Sequence, residues 1–278
     1  MSKIYSGDMI TKRLVGRGWQ LGRWLPTLFI VAILAGITTS EWLFAYKDVA
    51  YGITLALLVA IAIYIVVSVT RIKQPFADCA ETLALVPIYI LFTSSLPWFF
   101  LDQQFLLPAV YLVILALCFW HIYDRKLSLA EVGLRRSGNI LKYILLSLCI
   151  AIPLGVAEYF IIRPAPASPA FQFSYLLRDL AYMVIFVGIG EELLFRGLIQ
   201  RELTKTFGWK WGLISASLLF MVMHLSWRSM PELGFTFLGG LLLGYIYYRT
   251  KSLIAPIVIH GVGNVVLVSV MPYLFLSG

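Results

Sequence analysis

"VGIGEELLFRGL", residues 187–198, places Glu191, Glu192 and Arg196 in a stretch that is otherwise apolar or glycine. An ionised side chain at the centre of a bilayer-spanning helix costs about 2.5–3.5 kcal/mol on insertion scales. Three such groups so close together must interact with one another, do chemistry, or both. Which applies depends on whether the surrounding chain is membrane.

It reads as membrane throughout. Of 278 residues, 60% are hydrophobic and only 13% charged, about half the charge of a soluble domain, and the mean hydropathy is +0.88. Apolar runs near twenty residues long recur, enough to cross a bilayer as helix. Strands with open edges cannot satisfy their backbone in lipid. The expected fold is therefore an all-α, polytopic transmembrane helix bundle of about nine spans. They lie at 25–46, 49–70, 77–100, 105–123, 139–162, 177–200, 211–228, 233–249 and 252–274. A basic N-terminal segment, 1–24, precedes five leading helices within 25–162 and a trailing group within 176–275. That first segment is too long for the head of a signal peptide, and the first apolar run is long enough to span, so no cleavage is expected.

The net charge of +8 does not indicate nucleic acid, because no basic face with interleaved aromatics exists. The positives lie in short loops. With the N-terminus in the cytoplasm, seventeen Lys and Arg fall inside and four (Lys47, Arg163, Arg178 and Arg228) outside, leaving Arg196 in the opening stretch. This bias predicts a multi-pass protein with its N-terminus cytoplasmic and its C-terminus outside. The basic loop 124–139 reads either as a short surface-lying amphipathic helix or as a solvated loop. The proline-rich loop 163–174 cannot be regular helix. Cys79, Cys118 and Cys149 form no CxxC pair and read as buried small hydrophobes.

Polar chemistry gathers in the trailing spans. His121, beside Asp124, reads as an interfacial side chain, as do Glu41 and Glu158 near outer helix ends; Cys118 with His121 is too few ligands for a metal site. His224 and His260 lie within late spans. At about 1.5 Å per residue, Glu191, His224, His260 and Asn264 fall about 18, 9, 17 and 11 Å from the outer face. One chamber can hold all four only if helices tilt or break. At about 100° per residue, Glu192 and Arg196 differ by about 40° and can pair, whereas Glu191 and Arg196 differ by about 140°. One carboxylate is then a structural partner of the arginine and the other is free. His260 and Asn264 share a face, glycines at 188, 190, 197, 261 and 263 permit close approach, and Phe220 lies one turn before His224.

A Glu, two His and an Asn converging in a membrane suit hydrolysis. A carboxylate and an imidazole can deprotonate a water, and a second imidazole with an amide can donate to a developing oxyanion. The same residues can also serve only as polar glue between helices.

"EELLFR" (191–196), "FMVMH" (220–224) and "HGVGN" (260–264), in that order, resemble the EExxxR, FxxxH and HxxxN motifs of the CPBP family. That family comprises CAAX prenyl endopeptidases of the Ras-converting type and Abi proteins of bacteriocin processing and self-immunity. The likeness extends through "LGFTFLGGLLLGYIYYRTKSLIAPIVIHGVGN", covers roughly 177–275, and is weaker at "LAEVGLRR" (129–136). The resemblance implies a CAAX-protease-like core and a protein or peptide substrate, with or without an attached lipid. It implies that Glu191 with His224 activates the attacking water, that His260 with Asn264 forms the oxyanion hole, and that Glu192, Arg196 and Phe220 support them. The family is often labelled metalloprotease, and the resemblance is compatible both with a metal-free, glutamate-activated water, the form expected here, and with zinc on Glu191, His224 and His260. Asn264 is a poor zinc ligand and favours the metal-free form.

Other classes fit less well. No HExxH is present, and Ser215 and Ser217 read as packing residues rather than nucleophiles. A transporter would suit midplane polar residues, but no repeat halves appear. A non-catalytic scaffold or self-immunity protein would keep the same residues for stability.

Overall fold

Every backbone polar group inside a bilayer needs a partner within its own segment, and the chain meets this requirement with helices. The computed structural model describes residues 7–70, 72–95, 101–135, 138–166 and 170–275; the readings above that fall on residues 1–6, Arg71, 96–100 and Arg136 lie outside them. Among the described residues there is no strand. The leading helices are α1 (Gly7–Tyr46), α2 (Val49–Thr70), α3 (Phe76–Leu83), α4 (Leu85–Ser95), α5 (Gln103–Asp124) and α6 (Ile140–Ile162). A longer helical path follows: α7 (Phe173–Ala181), a π-helical segment (Tyr182–Gly188), α8 (Ile189–Glu192), a second π-helical segment (Leu193–Gln200) and α9 (Arg201–Phe207). After a break at Gly208 come α10 (Trp209–Val222), a 3₁₀ turn (Leu225–Trp227) and α11 (Met230–Thr250). The chain closes with α12 (Ile254–Val265), a third π segment (Val266–Val270) and α13 (Met271–Leu274).

Helix occurs at each of the nine expected places. Among the described residues, six stretches are long and apolar enough to cross a membrane: 24–46, 49–70, 76–94, 104–124, 140–162 and 254–274. The chain is an integral membrane protein. The stretches expected at 177–200, 211–228 and 233–249 are not among those six. The first carries the charges, α10 is only 14 residues long, and α11 is diluted by glycine and tyrosine. These are the polar elements of the bundle, and lipid-suited helices flank them.

Large apolar side chains such as Leu25, Leu28, Leu57, Leu58, Leu112 and Leu145 point outward, as a lipid-facing surface requires. The inner core joins Ile30, Ile37 and Ile63 to Leu83, Leu193, Leu198, Leu203 and Leu253. α6 packs along α12, and Gly155 makes this approach possible: a Cβ there would lie 2.4 Å from the Gly263 carbonyl oxygen. α11 is tied to the second π segment in matched register. Arg196 donates to the Gly240 carbonyl at 3.5 Å, and Gln200, one turn on, donates to the Gly244 carbonyl at 2.9 Å.

Several expectations are corrected. The loop after α5 is neither a surface helix nor a free solvated loop. It is a series of turns docked on the protein, with Val132 buried and the Gly133 carbonyl accepting from the Leu253 N–H at 2.9 Å. In its exposed part, the Ser128 N–H and hydroxyl hold the Glu131 carboxyl below the usual carboxylate range. His121 is buried within the protein, with Nε2 3.1 Å from the Thr82 hydroxyl, beside a polar pocket that Asp78, Arg125 and Lys205 also line. Glu41 is also buried. Cys79 and Cys118 are buried as expected, but Cys149 is exposed on the outer face of α6. Residues 163–166 and 170–172 of the proline-rich loop are non-helical, after Arg163 ends α6 in left-handed conformation, and its last two residues already begin α7.

Gly155→Val should push α6 off α12. We expect a loss of about 1–3 kcal/mol, the usual cost of overpacking, read as a lower melting temperature in detergent. Gly234→Val, at a position with open space around the missing Cβ, should lose much less.

Candidate active site

The two glutamates sit on α8, a single helical turn between two π segments. π-bulges inside helices concentrate at functional sites, and here they set the facing of each side chain. Glu192 is fully buried. Its Oε1 accepts from Arg196 Nη1 at 2.8 Å and from His260 Nδ1 at 2.8 Å. Arg196, equally buried, lies with its guanidinium carbon 4.3 Å from the Phe220 ring centroid. Phe220 in turn packs edge-on against Phe195 at 5.1 Å and lies 4.8 Å from the His224 ring and 5.8 Å from the His260 ring. One aromatic ring thus touches the arginine and both imidazoles. It wedges between the helices that carry these three side chains.

Glu191 faces the other way. Its Oε1 accepts from the Tyr111 hydroxyl of α5. Gly190 allows this approach, since a Cβ there would lie 3.2 Å from the Tyr111 ring. Among the described residues its Oε2 has no hydrogen-bond donor, and it lies 3.8 Å from His260 Nε2, too far for a hydrogen bond but near enough for the two groups to act on one substrate.

Both histidines are fixed by their Nδ1 atoms. His224, on the turn after α10, has Nδ1 2.8 Å from the Phe220 carbonyl oxygen. His260 has its Nδ1 against Glu192. Each Nδ1–H donates to an oxygen and leaves Nε2 for other work. Asn264, one turn beyond His260 on α12, completes the set.

Glu191, His224, His260 and Asn264 line a single cavity of about 240 Å³, whose wall also includes Phe220, Tyr111, Glu158 and Glu232. The unequal depths expected for the four side chains are reconciled by breakage. α10 stops at Val222 and the chain turns, so His224 sits beyond the helix end. Arg228 anchors this turn by donating from Nε to the Ala45 carbonyl at 2.8 Å. A second cavity of about 150 Å³ lies on the other side, bounded by Tyr89, Tyr111, Glu191, His224 and Trp227. Glu191 and His224 border both.

Among the described residues, no three His, Cys, Asp or Glu side chains gather as a metal ligand set. His260 has one nitrogen committed to Glu192, and Glu191 has one oxygen committed to Tyr111. Neither bond removes a ligand atom, since a metal-bound histidine commonly gives its other nitrogen to a carboxylate; His260 Nε2 and Glu191 Oε2 stay available, and zinc on Glu191, His224 and His260 is the alternative to a metal-free site.

Three site residues were not singled out from the sequence. Tyr111 sits in an ordinary apolar span without any motif. Glu158 was read as interfacial, but it faces the cavity. Glu232 carries a signal that goes unread: Ser229-x-x-Glu232 is a capping-box pattern, and its carboxylate does not behave as one.

Arg196→Ala should leave Glu192 buried without its cation. A loss of about 3–5 kcal/mol is expected, measured by thermal or denaturant unfolding in detergent. Arg196→Ala combined with Glu192→Leu should recover part of it.

Comparison with known proteins adds an independent finding. No curated protein and no solved structure matches the chain. A family model does match over residues 173–266, the span that carries all three motifs and every element from α7 to α12; its description is Rce1-like, Type II CAAX prenyl endopeptidase Rce1-like.

Proposed function

We propose that the protein is an intramembrane endopeptidase of the CAAX type that cleaves protein or peptide substrates with a glutamate-activated water. One observation carries this reading: the donor-free Oε2 of Glu191 and Nε2 of His260 face each other across 3.8 Å at the wall of a cavity shared with His224 and Asn264. The family match over 173–266 supports the same class of activity.

In this reading Glu191, with His224, takes a proton from water, and the oxygen attacks the peptide carbonyl carbon. Tyr111 holds the other Glu191 oxygen and so aims the carboxylate. The developing oxyanion receives hydrogen bonds from the Asn264 amide and from His260 Nε2. With Nδ1–H donated to Glu192, His260 can donate from Nε2 only as imidazolium, and Glu192 is its counter-ion. The tetrahedral intermediate collapses, the C–N bond breaks, and the proton held by Glu191 passes to the leaving amine. Arg196 and Phe220 act as positioning residues: Arg196 holds Glu192, and Phe220 spaces the two imidazoles.

Glu191→Gln should lower kcat/KM for a cleaved peptide by roughly 10²–10⁴-fold, the range for a lost general base, with folding retained. Asn264→Ala should cost roughly 10²–10³-fold, mainly in kcat. Full cleavage by the Glu191 variant would overturn the proposal. The metal-free form predicts that purified active protein holds less than stoichiometric zinc and stays active after chelation. Loss of activity on chelation, restored by zinc, would replace it with the metal alternative.

A further inference from the structure

His224 sits where α10 has already ended, on a turn with little hold on the core. No residue of the 3₁₀ turn Leu225–Trp227 is buried. The Trp227 and Arg228 N–H groups donate to the His224 and Leu225 carbonyls at 3.1 and 3.0 Å. These bonds shape the turn without fixing where it lies. A tie to another helix comes from Arg228. Its Nε donates to the Ala45 carbonyl at 2.8 Å, its Nη2 donates to the same oxygen, and its guanidinium carbon lies 5.7 Å from the Tyr46 ring centroid.

Both ends of this contact have a physical reason to persist. Ala45 lies in the last turn of α1, where carbonyls have no donor within the helix and the helix dipole is negative. That turn holds no basic residue of its own, so Arg228 supplies the cation from far along the chain. At the other end, Arg228 is left-handed, at φ 53°, a conformation that costs an L-residue free energy and that glycine adopts freely. α1 lies outside residues 173–266, the span of the family match. The segment that carries the three motifs thus takes an anchor for its His224 turn from the leading helices. Trp227 and His224 border both cavities, so a shift of this turn moves a wall of each.

We propose that Arg228 is a positioning residue for His224: by tying the turn to the end of α1, it holds the imidazole at the cavity wall with Nδ1 on the Phe220 carbonyl at 2.8 Å and Nε2 free for the attacking water. The catalytic consequence rests on the protease reading; the anchoring of the ring does not. Arg228 lines neither cavity, so it acts on the reaction through His224 and not by touching a substrate. A lysine in its place keeps the charge but loses the planar fork that reaches one carbonyl with two N–H groups.

The test uses the full chain in detergent, isotope-labelled in its histidine rings and read by nitrogen NMR. The chain has three histidines, His121, His224 and His260, and His224→Gln identifies the His224 signals. In the wild type His224 should show one tautomer, protonated at Nδ1. Arg228→Gly relieves the backbone strain and deletes the anchor. It should broaden the His224 signals or move them toward the other tautomer, and leave those of His121 and His260 in place. Arg228→Lys should stay nearer the wild type and guards against a variant that fails to fold. With a cleaved peptide, Arg228→Gly should lower kcat by roughly ten- to a hundredfold and leave KM within about twofold, the pattern of a misplaced catalytic group. Arg228→Lys should recover part of that loss. Unchanged His224 signals in Arg228→Gly, a change spread equally over all three histidines, or an unchanged kcat would refute the positioning role. If the wild type cleaves no peptide while Arg228→Gly alters His224 alone, the anchor stands and the protease reading falls.

Discussion

The buried chain Arg196–Glu192–His260 is the interaction on which the rest of the site depends. An arginine and a glutamate with essentially no exposure persist inside a membrane protein only because each meets the other's charge at 2.8 Å. The same glutamate oxygen also orients His260, so the ion pair does two things. It makes the charges tolerable, and it fixes the ring that faces Glu191. Phe220 closes the arrangement by lying over the guanidinium while spacing both imidazoles. Among the described residues Glu191 takes its hydrogen bond from the Tyr111 hydroxyl, with His260 Nε2 3.8 Å from its other oxygen.

The same helical segment sets the register of the bundle. Arg196 and Gln200 point at the carbonyls of Gly240 and Gly244, four residues apart on each side. A slip of α11 by one position would strand both polar side chains away from water, at the cost of unmet hydrogen bonds. α11 carries Glu232 and lies between the turn that holds His224 and the helix that holds His260. The placement of the cavity wall therefore follows from the ion-pair segment itself.

Much of this was legible in the sequence. Hydrophobic run lengths located the helices, because lipid leaves the backbone few alternatives. The i, i+4 spacing of Glu192 and Arg196 is itself a contact rule, and their pairing in space follows from it. What could not be read were events that break the period. The π segments around α8, the stop of α10 at Val222 and the left-handed Arg228 that follows all depend on packing against other helices. Depths counted along ideal helices consequently scattered Glu191 and His224. The burial of His121 and the cavity-lining place of Glu158 went unread for a related reason. Position near a helix end suggests an interface only when the helix end is not covered, and here neighbouring elements cover both. Tyr111 left no trace because a tyrosine in an apolar span looks the same whether or not a carboxylate waits across the gap.

Glu191 and His224 form part of the partition between two chambers of unequal size and character. The larger is walled by a mix of aliphatic, aromatic and polar side chains, and the smaller adds Tyr89, while Tyr111 and Trp227 border both. A chain occupying the first leaves the second open. Under the proposed reading, a guest filling the larger chamber would leave the smaller one to hold the water that Glu191 draws on.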